Sequence, residues 1–277
     1  MKRSIILCMI CMICGVAFGQ QCYSLNSLKE FTPPKKVKFS KEHPYEPYMQ
    51  VYLADKTKCT GKSIMIFPGG GYGMVAWSRE GTGWVPFYNN LGINVFVVKY
   101  AMPFGERETT FQSVRNAMSI IKSHAQEWNV NIDSVGVMGS SAGGHLASTV
   151  ATHFIEPFRP AFQVLFYPVI TMDASYTHEG SRENLLGKKP DKKVVEEYSN
   201  EKQVTPQTPP AIIMVSYDDK VVDINNSINY FKSLKNNDVP ASLHIYTVGD
   251  HGWGCMDSFP YHESMLQDLT SWLDNLK

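Results

Sequence analysis

Charge of one sign, long apolar runs and cysteine are all in short supply in this sequence, and each shortage removes a class of protein. Lys and Arg together number 26, as do Asp and Glu, so there is no basic field to gather nucleic acid and no block of like charge to mark an interaction tail. A neutral or weakly polar substrate suits that balance. The uncharged apolar run from Ile5 to Phe18 falls short of the roughly 20 residues that a bilayer requires, which argues against a transmembrane anchor. Past residue 14 only Cys22, Cys59 and Cys255 remain, an odd number that allows at most one intramolecular disulfide. No C-x-x-C pair or His/Cys cluster lies among them, so a structural zinc site and a redox motif lack support. The glycine run Gly69-Gly70-Gly71 is followed by no lysine in the G-x-x-x-x-G-K-[ST] spacing, and no G-x-G-x-x-G with a distal acid is evident. A phosphate-binding loop is disfavoured, and neither a cofactor nor a metal is expected.

What the sequence does have begins with a leader. Lys2 and Arg3 precede the apolar run, and Ala17 and Gly19 stand in the small-residue spacing that signal peptidase reads. An export signal over residues 1–19 is expected, cleaved near Gly19, with a periplasmic or extracellular destination and no stable membrane insertion afterwards. Gly19-Gln20-Gln21 ahead of Cys22 is a poor match to a lipoprotein site. At 43% hydrophobic residues the chain can bury a large core, and it shows neither repeats nor a disordered composition. A single domain over residues 20–277 is expected.

After a Pro- and Lys-containing stretch from Thr32 to Pro47, apolar runs read as strands at Gln50–Leu53, Ser63–Phe67, Asn94–Lys99, Ser134–Met138, Phe162–Phe166, Ala211–Val215 and Ser242–Tyr246. Several are apolar almost throughout, as parallel strands covered on both faces should be. Helical spacing occupies Thr109–Trp128, where Val114, Met118, Ile121 and Ala125 recur, and Asn225–Leu234 and Tyr261–Leu276 also read as helices. The alternation predicts an α/β fold, a mainly parallel central sheet with helices on both faces. One segment breaks the rhythm. Residues 174–208 are rich in charge, Ser, Asn and Pro, with a short helix at Lys192–Tyr198, and are too long for an ordinary connection. Because they follow the strand after the serine motif described next, they are expected to emerge at the same end of the sheet and cap it.

That motif is Gly139-Ser140-Ser141-Ala142-Gly143, between the strand-like Val135-Gly136-Val137-Met138 and the helix-prone Gly144-His145-Leu146-Ala147. Strand, tight turn and helix place a serine at the apex, and the flanking glycines let the backbone turn without a side-chain clash. Ser141 is the central serine of the pattern, whereas Ser140 occupies a variable position. A serine hydroxyl is a poor nucleophile at neutral pH, so it needs a base within reach and a group orienting that base. In the chain order Ser, acid, His, two loops past strand ends supply candidates. Ser216-Tyr217-Asp218-Asp219 offers Asp218 and Asp219 as the acid, while Asp223 reads as a cap for the following helix. Val248-Gly249-Asp250-His251-Gly252-Trp253-Gly254 offers His251, free between small residues, as the base. His145, one helical turn after Ser141, reads as a packing or hydrogen-bonding residue, and His43, His124, His153, His178, His244 and His262 read as structural. Cys255 reads as a small packing residue. The glycines of Pro68-Gly69-Gly70-Gly71-Tyr72-Gly73 follow an early strand and can aim backbone N–H groups at an oxyanion, with the Ala142 N–H as complement.

With these motifs in view the chain resembles the α/β-hydrolase superfamily and, more closely, exported bacterial acetylxylan esterase-like carbohydrate esterases, from about Met49 to the C-terminus. The acid turn of that family usually runs Asp, two residues, Val, a form that Asp219 takes with Val222, and the resemblance favours Asp219, with Asp218 as the close competitor. The resemblance implies Ser141 as nucleophile, Asp219 as orienting acid, His251 as general base, and N–H groups of Gly70 or Gly71 with Ala142 as the oxyanion hole. It implies a short acyl ester as substrate, on xylan or its oligosaccharides or another small ester, with no cofactor. Tyr72, Trp77 and Trp253 are candidates to stack on sugar rings or shape an acyl site, against ordinary packing near loops. Two departures stand out. Pro68 occupies a position where related lipases and esterases often have His, so the glycine loop must be held differently, and Asp223 follows Val222 where many relatives carry Pro. The same machinery would serve a general carboxylesterase or lipase, or a prolyl-oligopeptidase-type peptidase; no apolar lid helix or propeller-like region favours these. A non-catalytic binding protein would require a missing triad member, and none is missing.

Overall fold

A computed structural model describes residues 21–33 and 45–276; the expected leader over residues 1–19 lies outside them. One sheet is built from β1 (Gln21–Ser24), β2 (Tyr48–Tyr52), β3 (Ser63–Phe67), β4 (Asn94–Lys99), β5 (Val135–Ser140), β6 (Gln163–Phe166), β7 (Ala211–Ser216) and β8 (Ala241–Tyr246). Its order is β1-β2-β4-β3-β5-β6-β7-β8. β2 runs antiparallel to β1 and β4, and all other neighbours are parallel. The helices are α1 (Val85–Asn90), α2 (Arg107–Ser123), α3 (Ala142–His153), α4 (Glu179–Leu186), α5 (Lys192–Glu197), α6 (Asn225–Asn236) and α7 (His262–Asp274).

Continuous apolar strands follow from cover on both faces. Successive strand residues point to opposite sides. Met65, Phe67, Val98, Val137, Leu165 and Ile213 pack in one cluster with Val114 and Ile121 of α2, Leu146 and Val150 of α3, and Tyr230 and Leu234 of α6. Ile64, Ile66, Val97, Met138, Val164 and Ile212 pack in a second with Trp84, Tyr88 of α1, and Met265 and Leu269 of α7. Each fully buried side chain contributes roughly 1.5–3 kcal/mol. A surface ion pair such as Arg159–Glu156, at 3.9 Å, contributes under about 1 kcal/mol, so the two apolar layers decide the fold.

Departures from the sequence expectation occur where local signals are weak. β1 is short and polar, and it joins only at the sheet edge through β2. α1, at six residues, is likewise too short for periodicity to reveal. The helix expected to run to Trp128 stops at Ser123, and the chain turns through Asn129, whose φ of 52° is a left-handed conformation that Asn tolerates. Within 174–208 there are two α-helices and a 3-10 turn at Asn200–Lys202, in place of the one short helix expected. His178 caps α4 by accepting the Ser181 N–H at 3.2 Å, and Asp191 caps α5 by accepting the Lys193 N–H at 2.8 Å. Asp223 does accept the Asn225 N–H at the start of α6, at 2.8 Å.

The parallel strands deliver their carboxyl ends to one edge, and the 174–208 segment packs there. Asn184 of α4 donates to the Gly71 carbonyl at 2.8 Å. His145 of α3 fixes the other end of the segment. It is fully buried, its Nδ1 accepts the Tyr72 hydroxyl at 2.9 Å, and its Nε2–H donates to the Tyr198 carbonyl at 2.8 Å. The first contact needs an unprotonated Nδ1, and burial pushes the ring's pKa down to about 4 from 6.5, against the Tyr198 carbonyl, which acts in the opposite sense. Because the folded value lies below the unfolded one, the contribution is complete above pH 6.5 and is lost as pH falls through about 4. Full loss is worth roughly 3 kcal/mol. Burial also lowers His153 and His178, which adds the same sign. Denaturant unfolding should therefore show stability falling across that interval. His145→Gln, uncharged throughout, should flatten the profile; an unchanged slope would assign the drop to other groups.

Candidate active site

Ser141 stands alone between the last residue of β5 and the first of α3, with φ 53° and ψ −122°. This is a sparsely populated conformation for a residue with a side chain, at a cost of roughly 1–3 kcal/mol. Surrounding hydrogen bonds impose it. The Ser141 N–H donates to the Phe166 carbonyl at 3.0 Å, and its own carbonyl accepts from Gly144 at 2.9 Å and Val169 at 3.0 Å. The glycines on either side are steric requirements. A Cβ on Gly139 would lie 1.9 Å from the Gly143 carbonyl oxygen, and one on Gly143 would lie 2.0 Å from the Phe67 carbonyl oxygen. Ser140 is wholly buried, whereas Ser141 keeps 6% of its surface.

The structure brings Asp219 and His251 to this serine from the loops after β7 and β8. The His251 Nδ1–H donates to Asp219 Oδ2 at 2.7 Å, which leaves Nε2 to accept the Ser141 hydroxyl at 2.9 Å. The Asp219 side chain is entirely buried, and its Oδ1 accepts the N–H groups of Val221 and Val222, each at 2.9 Å. Asp218 turns elsewhere and accepts the Asp250 N–H at 2.8 Å, while Asp250 accepts the Lys220 N–H at 3.1 Å. The acid loop and the histidine loop are thereby tied to each other. Tyr167 backs the imidazole, with ring centroids 4.6 Å apart.

The glycine loop lies against the serine, since a Cβ on Gly69 would come within 2.9 Å of Ser141 Cβ. Among the described residues the N–H groups of Gly70 and Gly71 have no acceptor, and the Ala142 N–H, at the first position of α3, has none within its helix. What holds the loop in place of a histidine at position 68 is Glu80. It is 4% exposed, and its carboxylate accepts the Gly69 N–H at 2.8 Å and the Tyr167 hydroxyl at 3.0 Å. Tyr167 in turn accepts the Gly254 N–H at 2.8 Å. The Tyr100 hydroxyl donates to the Pro68 carbonyl at 2.7 Å. Sequence reading missed Glu80 because Ser78-Arg79-Glu80 looks like a solvated loop.

The aromatic candidates for sugar stacking need correction. Tyr72 is buried on His145, and Trp253 is buried against Phe259, ring centroids 4.1 Å apart, with its indole N–H on Ser216. Neither offers a face to a ligand. Trp77 is half-buried against Tyr48. Cys22, Cys59 and Cys255 are free thiols. Among the described residues no group of His, Cys, Asp and Glu is arranged to hold a metal ion, and no helix is long and apolar enough to cross a membrane.

Replacing Glu80 by Ala strands the Gly69 N–H and the Tyr167 hydroxyl inside the protein. Denaturant unfolding should show a loss of about 2–5 kcal/mol, with Glu80→Gln losing less. A loss below about 0.5 kcal/mol for Glu80→Ala would show that the bridge does not brace these loops.

Sequence and structure comparisons bear on this arrangement. The model of the prolyl oligopeptidase family matches residues 104–276, the span that holds Ser141, Asp219 and His251, and a BD-FAE model matches residues 49–157. The chain is 41% identical over 221 residues, 78% of its length, to an acetylxylan esterase of Xylanibacter ruminicola. It is 31% identical over 204 residues, 68% of its length, to the endo-1,4-beta-xylanase B of Butyrivibrio fibrisolvens. It spans only 46% and 32% of those two proteins. The crystal structure of an acetyl ester-xyloside bifunctional hydrolase from Caldicellulosiruptor lactoaceticus superposes with a TM-score of 0.80 at 31% identity, covering 91% of this chain and 95% of that one. The chain belongs to the α/β-hydrolase superfamily and, within it, to the prolyl oligopeptidase family.

Proposed function

We propose that the protein is an exported serine esterase that removes acetyl or similarly short acyl groups from xylan or its oligosaccharides through an acyl-enzyme on Ser141. The observation that carries this reading is the continuous chain from the Ser141 hydroxyl through His251 to the buried Asp219, set beside unpaired backbone N–H groups. Ser141 Oγ attacks the ester carbonyl as its proton passes to His251 Nε2, and Asp219 stabilises the imidazolium that forms. Charge on the carbonyl oxygen is met by the N–H of Gly70 or Gly71 and that of Ala142, each such donor contributing on the order of a hundredfold or more. The tetrahedral intermediate collapses, His251 returns the proton to the departing sugar oxygen, and the acyl group stays on Ser141. Water, deprotonated by His251, then attacks the acyl carbon and frees the acid and the serine.

An ester is favoured over an amide by the names of the relatives, an acetylxylan esterase and an acetyl ester-xyloside hydrolase. The leader over residues 1–19 supports export to the substrate, and the exported protein should begin near Gln20.

Acetate release from acetylated xylo-oligosaccharides, followed with a series of aryl acetate, butyrate and octanoate esters, tests the reading. Acetate should be released, the aryl acetate should be preferred, and Ser141→Ala should lower turnover on the order of a thousandfold or more. A preference for octanoate, no release from the oligosaccharides, or full activity in Ser141→Ala would overturn it.

A further inference from the structure

His178 belongs to the inserted 174–208 segment, and its sequence context gives no hint of a ligand contact. The structure holds it on a fixed mount. Thr177 Oγ1 donates to the Thr171 carbonyl at 2.7 Å, Asn226 donates to the Tyr176 carbonyl at 3.0 Å, and Arg182 donates to the Met172 carbonyl at 3.0 Å. The imidazole caps α4, so its Nδ1 accepts the Ser181 N–H at 3.2 Å and faces the Ser181 hydroxyl at 2.8 Å. Since Nδ1 is the acceptor, the ring proton sits on Nε2. Among the described residues that Nε2–H has no acceptor.

The ring also stands at the active site. α4 is pinned to the glycine loop by Asn184, which donates to the Gly71 carbonyl at 2.8 Å, and a Cβ on Gly71 would lie 3.5 Å from His178 Cε1. The imidazole therefore stands on the side-chain side of Gly71, beside the loop that carries the Gly70 and Gly71 N–H groups. The residue is half-buried, and its Nε2 is not among the buried side-chain atoms that lack a partner, so the free N–H keeps access to solvent beside that loop. Burial, followed by repulsion from His251, keeps the ring neutral at neutral pH, while Asp219 acts in the opposite sense.

We propose that His178 is a substrate-binding residue that determines specificity, its Nε2–H donating a hydrogen bond to a sugar hydroxyl beside the scissile ester. This rests on the esterase reading above. A neutral N–H donor on a rigid mount suits an uncharged oxygen acceptor, and a carbohydrate offers one next to each acylated position. An aryl acetate offers none. The inserted segment is then a fixed wall that reads the carbohydrate and carries no step of the acyl chemistry.

His178→Asn separates this role from the structural one, because Asn is a strong helix N-cap whose side-chain oxygen can replace Nδ1 toward Ser181, while it is too short to reproduce the Nε2–H. The measurement is kcat/KM on acetylated xylo-oligosaccharides and on an aryl acetate, for the parent and for His178→Asn, with thermal unfolding as a check on α4. The ratio of the two kcat/KM values should fall about fivefold to tenfold in the variant, the size expected for one lost hydrogen bond. An equal loss on both substrates, or no change on either, overturns the role of His178 and leaves the esterase reading intact. No acetate release by the parent protein overturns the esterase reading instead.

Discussion

The site depends on how closely α3 approaches the ends of β3 and β5. That approach is permitted by bare backbone at Gly139 and Gly143, where any Cβ would overlap a carbonyl oxygen. It forces Ser141 into its left-handed turn at φ 53° and sets the serine beside Gly69 in the neighbouring strand extension. The nucleophile and the donor loop are therefore products of one contact. Register supplies the rest, because Phe67 pairs with Gly139 and Ser140 with Phe166, so the strands release their loops at one level.

Loops alone would hold such a constellation poorly, and the structure braces them with buried polar links. Glu80 joins the glycine loop to Tyr167, Tyr167 joins Gly254, and Asp218 joins the acid loop to Asp250 beside the histidine. The links to Gly69 and Gly254 each satisfy an N–H that would otherwise be buried without a partner. Donors fixed before a substrate arrives need no reorganisation when charge develops, which is the source of most electrostatic rate acceleration. The inserted segment extends the same design, since Asn184 donates to the Gly71 carbonyl.

Much of this was legible in the sequence, for identifiable reasons. The buried parallel strands betray themselves as unbroken apolar runs, such as Asn94–Lys99 and Ala211–Ser216. Ser141, Asp219 and His251 lie in loops whose glycines and chain order carry a steric and chemical meaning, and the structure places these three within hydrogen-bonding distance. β1 was not legible, because four mostly polar residues gain their pairing only from β2. Glu80 and His178 were not legible either. A charged residue in a loop and a histidine in a polar insertion look like surface until the fold supplies their partners. Tyr72 and Trp253 erred in the other direction, since an aromatic near a catalytic motif packs inward as readily as it faces a ligand.

The central claim is that Ser141 itself carries the acyl group. Rapid acid quench during turnover of an acetate ester, followed by digestion and fragment mapping, reads this directly. An acetyl group should appear on Ser141, distinguished from the adjoining Ser140 by fragmentation, and should vanish as substrate is exhausted. Turnover with the acetyl group on Ser140 or on any other residue would contradict it.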